Sequence, residues 1–318
     1  MEIKKILDDF LPDRIFDAHM HLYERAFVGE IDMLPNNVYI ENFYDDMCRI
    51  LGNRQVYANI ISMPEKQIIL GKNGEFLQAS DEFLYKELAK KPDNVGEILV
   101  LPDETEEHLE NRIKSKQVCG FKCYHLLNAA ENTWNLDIQK YLPESAWRIA
   151  NERKLVITLH MVKDKALCDE NNLNYILSMS KKYPNATLIL AHAARSFASW
   201  TGVESVEKLK HADNVWFDLA AVCESPAIFQ IFKKCGTKRV MWGSDYPISN
   251  IKGKAISLAD KFFWIYETEQ PKIANAVKLW NIVEENAFAV RQAAIMAELS
   301  SNDIEDVFYN NAKRLFIK

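Results

Sequence analysis

Short, mostly apolar segments alternate with helix-like segments along the whole of this 318-residue chain. Apolar runs of this length are typical of parallel strands that are covered on both faces. Eight strand–helix repeats predict a (β/α)8 TIM barrel. An open, doubly wound sheet is the alternative, but the chain lacks the phosphate-binding glycine loops that would favour it. The predicted strands are Ile15–His21, Gln55–Ser62, Val95–Leu101, Gly120–Tyr124, Leu155–His160, Thr187–His192, Val215–Ala220 and Arg239–Asp245.

Two features are predicted to decorate the barrel, which we interpret as one domain over residues 1–318. Gln67–Gln78 has two apolar runs around Asn73-Gly74, which predicts a hairpin insertion after strand two, either a lid or a passive surface hairpin. The C-terminal part predicts additional helices. One is amphipathic, with Ile273, Ala276, Val277, Trp280 and Val283 at helical spacing, and the last begins at a capping-box-like Asn302 with Glu305. The helices predicted between the strands are Glu41–Leu51, Asp81–Lys91, Glu104–Lys116, Pro143–Arg153, Leu173–Tyr183, Val203–His211 and Ser225–Lys234.

Composition narrows the classes of partner. The net charge of −6 and the pI near 5.7 argue against nucleic-acid binding, which normally needs a basic surface. We expect no membrane association, because no run approaches the length of a membrane helix and the N-terminus is unlike a signal peptide. The six cysteines form no CxxC pair, which is typical of reduced thiols and a cytoplasmic location. The expected partner is a small-molecule substrate, and the C-terminal helices offer a surface for a homo-oligomer.

Side chains that can bind a metal or act as a base stand at the ends of several predicted strands. In FDAHMH, His19 and His21 alternate onto one strand face, so that both imidazoles can point at one ion. By itself this pair is equally compatible with two buried, hydrogen-bonded histidines. His160, His192 and Asp245 end three further strands, and together they make a mixed nitrogen and oxygen set suited to zinc or a similar divalent ion.

These motifs resemble the amidohydrolase superfamily, and in particular its amidohydrolase-related branch of metal-dependent TIM-barrel hydrolases. The resemblance extends over nearly the whole chain, and it depends on the order of the motifs and on their placement at one per strand. The motifs that carry it are FDAHMH, GFKCYH, ITLHM, LAHAAR, MWGSDYP and the terminal YNNAKRLF.

The resemblance implies roles for these residues. The metal ligands would be His19, His21, His160 and Asp245, with zinc the favoured ion and manganese, iron or cobalt as alternatives. His192 would act in catalysis next to a single metal, which we favour, or would be a further ligand in a binuclear site. In a binuclear site Lys122 would be carboxylated, because a free ammonium cannot bind a metal. Otherwise Lys122 would hold an anionic group of the substrate.

Three further residues are candidates for contacts with substrate. Arg195 could anchor a carboxylate through its guanidinium fork, although a salt bridge that holds the loop is an equally ordinary role. His125 is expected at the mouth of the pocket. Tyr246 follows Asp245 and could either contact substrate or pack.

A divalent ion in such a site lowers the pKa of water and polarises the bond under attack, and Asp245 could accept and then deliver a proton. We therefore expect an enzyme, a metal-dependent hydrolase that cleaves an ester, lactone or amide bond of a small anionic metabolite. The first alternative is a metal-dependent, non-oxidative decarboxylase of an aromatic or muconate-type acid. The second is a non-catalytic binding barrel, against which the intact set of ligands argues.

Overall fold

The computed structural model describes residues 3–66 and 74–317. Its main sheet contains nine strands in the order β2-β1-β3-β4-β5-β6-β7-β8-β9, and every neighbouring pair is parallel except β1 with the short β2. The strands are β1 Arg14–Glu24, β2 Asn37–Val38, β3 Gln55–Ser62, β4 Val95–Val100, β5 Val118–Tyr124, β6 Val156–His160, β7 Thr187–Leu190, β8 Val215–Asp218 and β9 Val240–Met241.

The sheet closes between its first strand and the segment that follows its last one. Ala18 donates from its backbone nitrogen to the carbonyl of Trp242 (3.0 Å), and His21 donates to that of Tyr246 (2.7 Å). Gly243 lies in this seam, where an added Cβ would be 2.8 Å from Cβ of His19. The predicted eighth strand is therefore regular only over β9, because residues 242–246 follow an irregular path against β1. The predicted (β/α)8 barrel is confirmed.

Helices cover the outside of the barrel and follow the predicted alternation. Most of them place apolar side chains on a core that fills the space between helix and sheet, as parallel strands require. None of the helices in residues 3–66 and 74–317 is long and apolar enough to cross a membrane. The helices are Ile3–Asp8, Arg25–Val28, Ile40–Leu51, Glu75–Ala89, Glu106–Arg112, Glu144–Arg153, Glu170–Lys182, Ser199–Ser205, Ser225–Cys235, Pro271–Ala276, Ile282–Met296, Ser301–Glu305 and Asn311–Phe316, with a π-helical turn at Asp306–Asn310.

The hairpin predicted at Gln67–Gln78 is wrong for its second arm. Residues 67–73 lie outside the described part of the chain, but Glu75–Ala89 is a helix that begins directly after Gly74. Gly74 has a φ of 78°, so the glycine that suggested a hairpin turn is a left-handed residue at the start of a helix.

Two details of the predicted C-terminal helices are also wrong. The amphipathic pattern from Ile273 to Val283 does not form one helix: Pro271–Ala276 ends before Trp280, and a new helix begins at Ile282. The last part of the chain is capped by Ser300, which accepts from the backbone nitrogen of Asp303, rather than by Asn302. Ser300 completes a capping box, because the Asp303 carboxylate in turn accepts from the backbone nitrogen of Ser300 at 3.1 Å.

A hairpin that was not predicted from the sequence follows β9, on the side of the barrel where the strands end. Its strands are β10 Gly253–Leu258 and β11 Lys261–Tyr266, paired antiparallel. The Glu224 carboxylate accepts from both the backbone nitrogen and the hydroxyl of Ser257, at 2.7 and 2.6 Å. This attachment matters because a two-stranded hairpin alone is marginally stable in water.

Candidate metal centre

Three predicted ligand atoms converge at the end of the barrel where the parallel strands finish. Nε2 of His19 lies 3.3 Å from Nε2 of His21, and Oδ1 of Asp245 lies 3.6 and 3.5 Å from these two nitrogens. Ligands about 2.0–2.1 Å from a tetrahedral zinc ion lie about 3.3–3.4 Å from one another. All three side chains are buried. The arrangement fits a divalent metal.

The hydrogen bonds of the imidazoles fix their tautomers. Nδ1 of His19 donates to Oδ2 of Asp218 (2.9 Å), and Nδ1 of His21 donates to the carbonyl of Ile61 (3.1 Å). Because each Nδ1 carries the hydrogen, the two Nε2 atoms present lone pairs toward each other. Nζ of Lys122 lies 3.0 Å from Nε2 of His19, and a metal ion between the two imidazoles would accept both lone pairs. Orientation of a ligand through its second nitrogen is the usual arrangement in protein metal sites.

The two other predicted histidines join the same cluster. The ring of His192 lies 5.0 Å from the ring of His19 and 5.0 Å from that of His160. Nδ1 of His192 donates to the carbonyl of Ala220 (2.9 Å), so its Nε2 also carries a lone pair. Nε2 of His160 is buried without a hydrogen-bond partner among the described residues. Among the described residues, His19, His21 and Asp245 form a tight group of ligand atoms, and His160 lies outside that group.

Asp218, at the end of β8, is a residue that the sequence analysis missed. Its Oδ2 accepts from His19, while its Oδ1 accepts from the backbone nitrogens of His192 (2.9 Å) and Ala220 (3.1 Å). One carboxylate thus orients a predicted metal ligand and holds the turn that carries His192. Its position offered a signal, because Asp218 lies in the predicted strand Val215–Ala220, two residues before its end.

Lys122 lies inside the barrel, 1% exposed, with Nζ 3.0 Å from Nε2 of His19. Burial lowers the pKa of its ammonium, against the opposing charges of Asp218, Glu97 and Asp245. Lys122 therefore loses its proton more readily than an exposed lysine does, which favours the neutral amine. Its predicted contact with an anionic substrate group and its carboxylation both stay predictions.

The protonation states of these side chains suit the binding of a metal cation. Burial lowers the pKa of His19, His21 and His160, so that the imidazoles are held in the neutral form that binds metals. Burial raises the pKa of Asp245, and positive charge on His192, His21 and His19 lowers it by more, to about 2, so that a cation at this position favours the ionised carboxylate. Neutral imidazoles around an ionised carboxylate are the state that a divalent ion requires.

A left-handed turn presents His192 and Arg195 next to one another at the end of β7. The φ angles of His192, Ala193, Ala194 and Arg195 lie between 52° and 60°. Non-glycine residues in this region are strained, and such strain is commonly found at functional sites. Besides the contact of Asp218 with the nitrogen of His192, a bond from the nitrogen of Ser196 to the carbonyl of His192 (2.9 Å) closes the turn.

Arg195 belongs to none of the salt bridges found among residues 3–66 and 74–317, so the predicted loop-holding salt bridge is wrong for the described residues. Its guanidinium carbon lies 5.2 Å from the ring centre of Trp134 and 5.5 Å from that of Phe262. Burial lowers the pKa of this guanidinium, which nevertheless stays charged at neutral pH. Trp134 is 51% exposed at this position.

Two predicted substrate contacts have other surroundings. His125 is fully buried instead of lying at a pocket mouth, because its Nδ1 is bonded to the hydroxyl of Thr133 (2.8 Å) and its ring packs against Trp134. Burial and nearby Arg195 lower its pKa to about 4. Tyr246 is 2% exposed and donates its hydroxyl to Oδ2 of Asp46 (2.7 Å), on the outer helix Ile40–Leu51. Because its hydroxyl is bonded to Asp46, we interpret Tyr246 as a packing residue and not as a substrate contact.

Tyr124 and Tyr266 also approach the cluster and were missed. The ring of Tyr124 lies 4.2 Å from that of His160, and it shares a strand face with Lys122. Tyr266 ends β11, where burial and then the charges of Glu269 and Asp245 raise its pKa to about 12. The position of Tyr124 could have been predicted, because it lies two residues after Lys122 on the same strand. The position of Tyr266 depends on the hairpin β10–β11, which was not predicted.

Comparison with known proteins decides the family. A model of the family described as Amidohydrolase matches residues 16–317. The chain belongs to the amidohydrolase family. The resemblance inferred from the sequence is thereby confirmed. A search of curated proteins found no match.

Solved structures of amidohydrolases share this fold. An amidohydrolase from Burkholderia multivorans with bound zinc is 13% identical, with a TM-score of 0.59, 95% of this chain and 98% of that chain being covered. A protein from Acinetobacter baumannii described as "probable 2-pyrone-4,6-dicarboxylic acid hydrolase" is 14% identical, with a TM-score of 0.58 and coverage of 95% and 98%. The 5-carboxyvanillate decarboxylase from Sphingomonas paucimobilis is 12% identical, with a TM-score of 0.56 and coverage of 96% and 99%.

Proposed function

We propose that this amidohydrolase is a metal-dependent hydrolase that cleaves an ester, lactone or amide bond of a small, anionic metabolite. The observation that carries the proposal is the convergence of two imidazole lone pairs and the Asp245 carboxylate, within 3.3–3.6 Å of one another. Zinc is the metal that this set of nitrogen and oxygen ligands favours, with manganese, iron or cobalt as alternatives. We propose one metal, held by His19, His21 and Asp245 with His160 as the further ligand.

When bound, such an ion supplies Lewis-acid activation of a substrate carbonyl and of water. The chain's own residues supply the movement of protons and the binding of charge. Oδ1 of Asp245 lies 3.6 and 3.5 Å from the ligand nitrogens of His19 and His21, so its carboxylate is placed to accept a proton from water at the same centre. The proton can then pass to the leaving group, for which His192 offers a second basic nitrogen at the same cluster.

Arg195 supports an anionic substrate. Its guanidinium is charged, partly buried and free of salt bridges within the described part of the chain, next to the turn that presents His192. A guanidinium binds carboxylate in a two-pronged geometry that also orients the bound molecule. We therefore propose that Arg195 anchors a substrate carboxylate.

A second function, non-oxidative decarboxylation, is favoured by the aromatic surroundings of that anchor. Phe197 packs between the ring of His192 (5.2 Å) and that of Phe262 (5.0 Å), and Trp264 lies 5.4 Å from it. An apolar wall disfavours a charge concentrated on a carboxylate relative to a transition state in which that charge is spread onto the carbon that releases carbon dioxide. The decarboxylase from Sphingomonas paucimobilis shows that the fold is found with this chemistry.

The two functions differ in their products. We would assay the purified, metal-loaded protein on a panel of simple lactones and esters and on a panel of carboxylated phenols. Proton release by pH-stat without gas evolution supports the hydrolase, and release of carbon dioxide supports the decarboxylase. Asp245→Asn should abolish either activity, and Asp260→Asn, at an exposed position, should retain it. Activity that survives in Asp245→Asn would contradict the proposed proton transfer.

A further inference from the structure

Two aromatic side chains from different loops approach the guanidinium of Arg195. Trp134 lies in the segment after β5, and Phe262 lies on β11. We propose that Trp134 and Phe262 are positioning residues that hold the Arg195 guanidinium ready for a carboxylate, a role that rests on the proposed anchoring function of Arg195. The rings contact the guanidinium without using its N–H groups, which remain available for a carboxylate.

The need for positioning follows from the surroundings of Arg195. Arginine has a long, flexible side chain, and in this protein none of the described carboxylates forms a salt bridge with it. Asp164, whose charge raises the pKa of Arg195, is paired instead with Lys261. Contacts with ring faces at 5.2 and 5.5 Å lie within the range of cation–π attraction. These ring contacts restrict the Arg195 side chain and leave its charge in place, whereas a salt bridge would neutralise that charge.

Trp134 is fixed by its backbone although its ring is half exposed. Its carbonyl accepts from the backbone nitrogen of Lys163 (3.0 Å), just after β6, and its own nitrogen donates to Asn132 (3.1 Å). Lys163 in turn binds Asp137 with its ammonium (2.7 Å), which ties the two loops together. These bonds fix the backbone of Trp134 and so keep its ring beside Arg195 although that ring is exposed.

Phe262 is held from the opposite side by the hairpin. Side chains alternate along a strand, so Phe262, Trp264 and Tyr266 share the inner face of β11 while Phe263 points outward and is 51% exposed. Phe262 packs on Phe197, and Trp264 stacks on Tyr266 with ring centres 6.0 Å apart. The inner face of β11 therefore begins beside Arg195 and ends at Tyr266. The charge of Asp245 contributes to the raised pKa of Tyr266.

The test measures the charge selectivity of the site. Benzoate and benzamide have the same ring, and only benzoate carries a charge, so the ratio of their dissociation constants reports the contribution of the anchor. Isothermal titration of the metal-loaded wild type should give tighter binding of benzoate. We expect Trp134→Ala and Phe262→Ala to reduce this ratio by about three- to thirty-fold, since each removes one cation–π contact.

Matched variants separate positioning from general damage. Trp134→Phe and Phe262→Tyr keep a ring and should retain the wild-type ratio, and Phe263→Ala removes an equally exposed ring from the outer face and should leave it unchanged. Equal metal content and equal far-UV circular dichroism would show that each variant is folded.

The outcomes distinguish the positioning role from the anchor itself. If the wild type does not prefer benzoate, or if Arg195→Ala keeps the preference, then the anchoring role of Arg195 is wrong and the positioning role falls with it. If Arg195→Ala loses the preference while an alanine variant at Trp134 or Phe262 keeps it, the anchor stands and the positioning role of that residue is overturned.

Discussion

The Asp218 carboxylate accepts a hydrogen bond from Nδ1 of His19 at 2.9 Å, and both side chains are fully buried. This bond leaves the lone pair of Nε2 facing Lys122, His21 and Asp245. Because the other oxygen of Asp218 accepts from the backbone of His192, one residue links the metal centre to the left-handed turn that carries Arg195. The barrel thus connects the ligand cluster and the proposed carboxylate anchor through a single side chain.

We predict that Asp218→Asn weakens metal binding by about 10- to 100-fold. An amide has only one accepting oxygen, so either His19 or the nitrogens of His192 and Ala220 must face an NH2 group. Competition with a chelator measures the affinity. Asp213→Asn, an exposed position just before β8, is the control and should bind as the wild type does. Unchanged affinity in Asp218→Asn would show that this bond does not orient the ligand.

Asp245→Asn should reduce kcat/KM by at least about 100-fold, because the amide cannot accept the proton that the carboxylate is proposed to take. The effect should persist when the variant is saturated with metal, which separates proton transfer from loss of a ligand. Steady-state kinetics on the substrate found by the panel assay test this. Wild-type turnover in the metal-saturated variant would limit Asp245 to the role of a ligand.

Tyr246→Phe should lower the free energy of unfolding by about 1 kcal/mol, since it removes one hydrogen bond, to Asp46. KM should not change, because the hydroxyl points away from the cluster. Urea denaturation and kinetics measure the two effects. Tyr266→Phe is the matched comparison, since its hydroxyl has no hydrogen bond within residues 3–66 and 74–317. A higher KM for Tyr246→Phe would restore the predicted contact with substrate.

Glu97 gives stability a dependence on pH. Burial raises its pKa from 4.5 to about 7, and its Oε1 accepts from Asn59 and Thr158 while Oε2 has no partner among the described residues. The folded protein therefore binds this proton more tightly than the unfolded chain. Its contribution to stability is complete below pH 4.5 and falls, by about 3 kcal/mol in total, as the pH rises to 7.

Glu97→Gln keeps the shape and cannot ionise, so the wild type should lose stability relative to this variant between pH 5 and about pH 7. Urea denaturation at several pH values measures the difference. Glu107→Gln, at an exposed helical position, is the control. If the free energies of unfolding of the wild type and Glu97→Gln changed with pH in the same way, ionisation of Glu97 would cost the folded protein no stability, and the prediction would be wrong.

The sequence was sufficient for the parts of the fold that repeat. Alternating apolar runs predicted the barrel, and the rule that side chains at parallel strand ends meet brought His19, His21, His160, His192 and Asp245 to one place. The details that failed depend on tertiary contacts. Gly74 begins a helix although it resembles a hairpin turn, and the hydroxyl of Tyr246 is directed by Asp46, which is 200 residues away in the chain.

The surroundings of Arg195 were beyond the sequence for a similar reason. Nothing in the local pattern shows that a hairpin after β9 returns over the turn after β7, so the contact with Phe262 could not be foreseen. The alternation in KFFWIY was a signal for the strand itself. Trp134 could not be distinguished from a buried tryptophan, because its exposure is set by the backbone bond to Lys163.

The central claim is tested most directly by metal content per chain, measured by elemental analysis on protein purified without chelator or histidine tag. The account predicts about one equivalent in the wild type and in His211→Ala, an exposed control, and almost none in His21→Ala. About two equivalents would move His192 into the ligand set and predict a carboxylated Lys122. No metal in the wild type after zinc and manganese are offered, or an unchanged equivalent in His21→Ala, would contradict it.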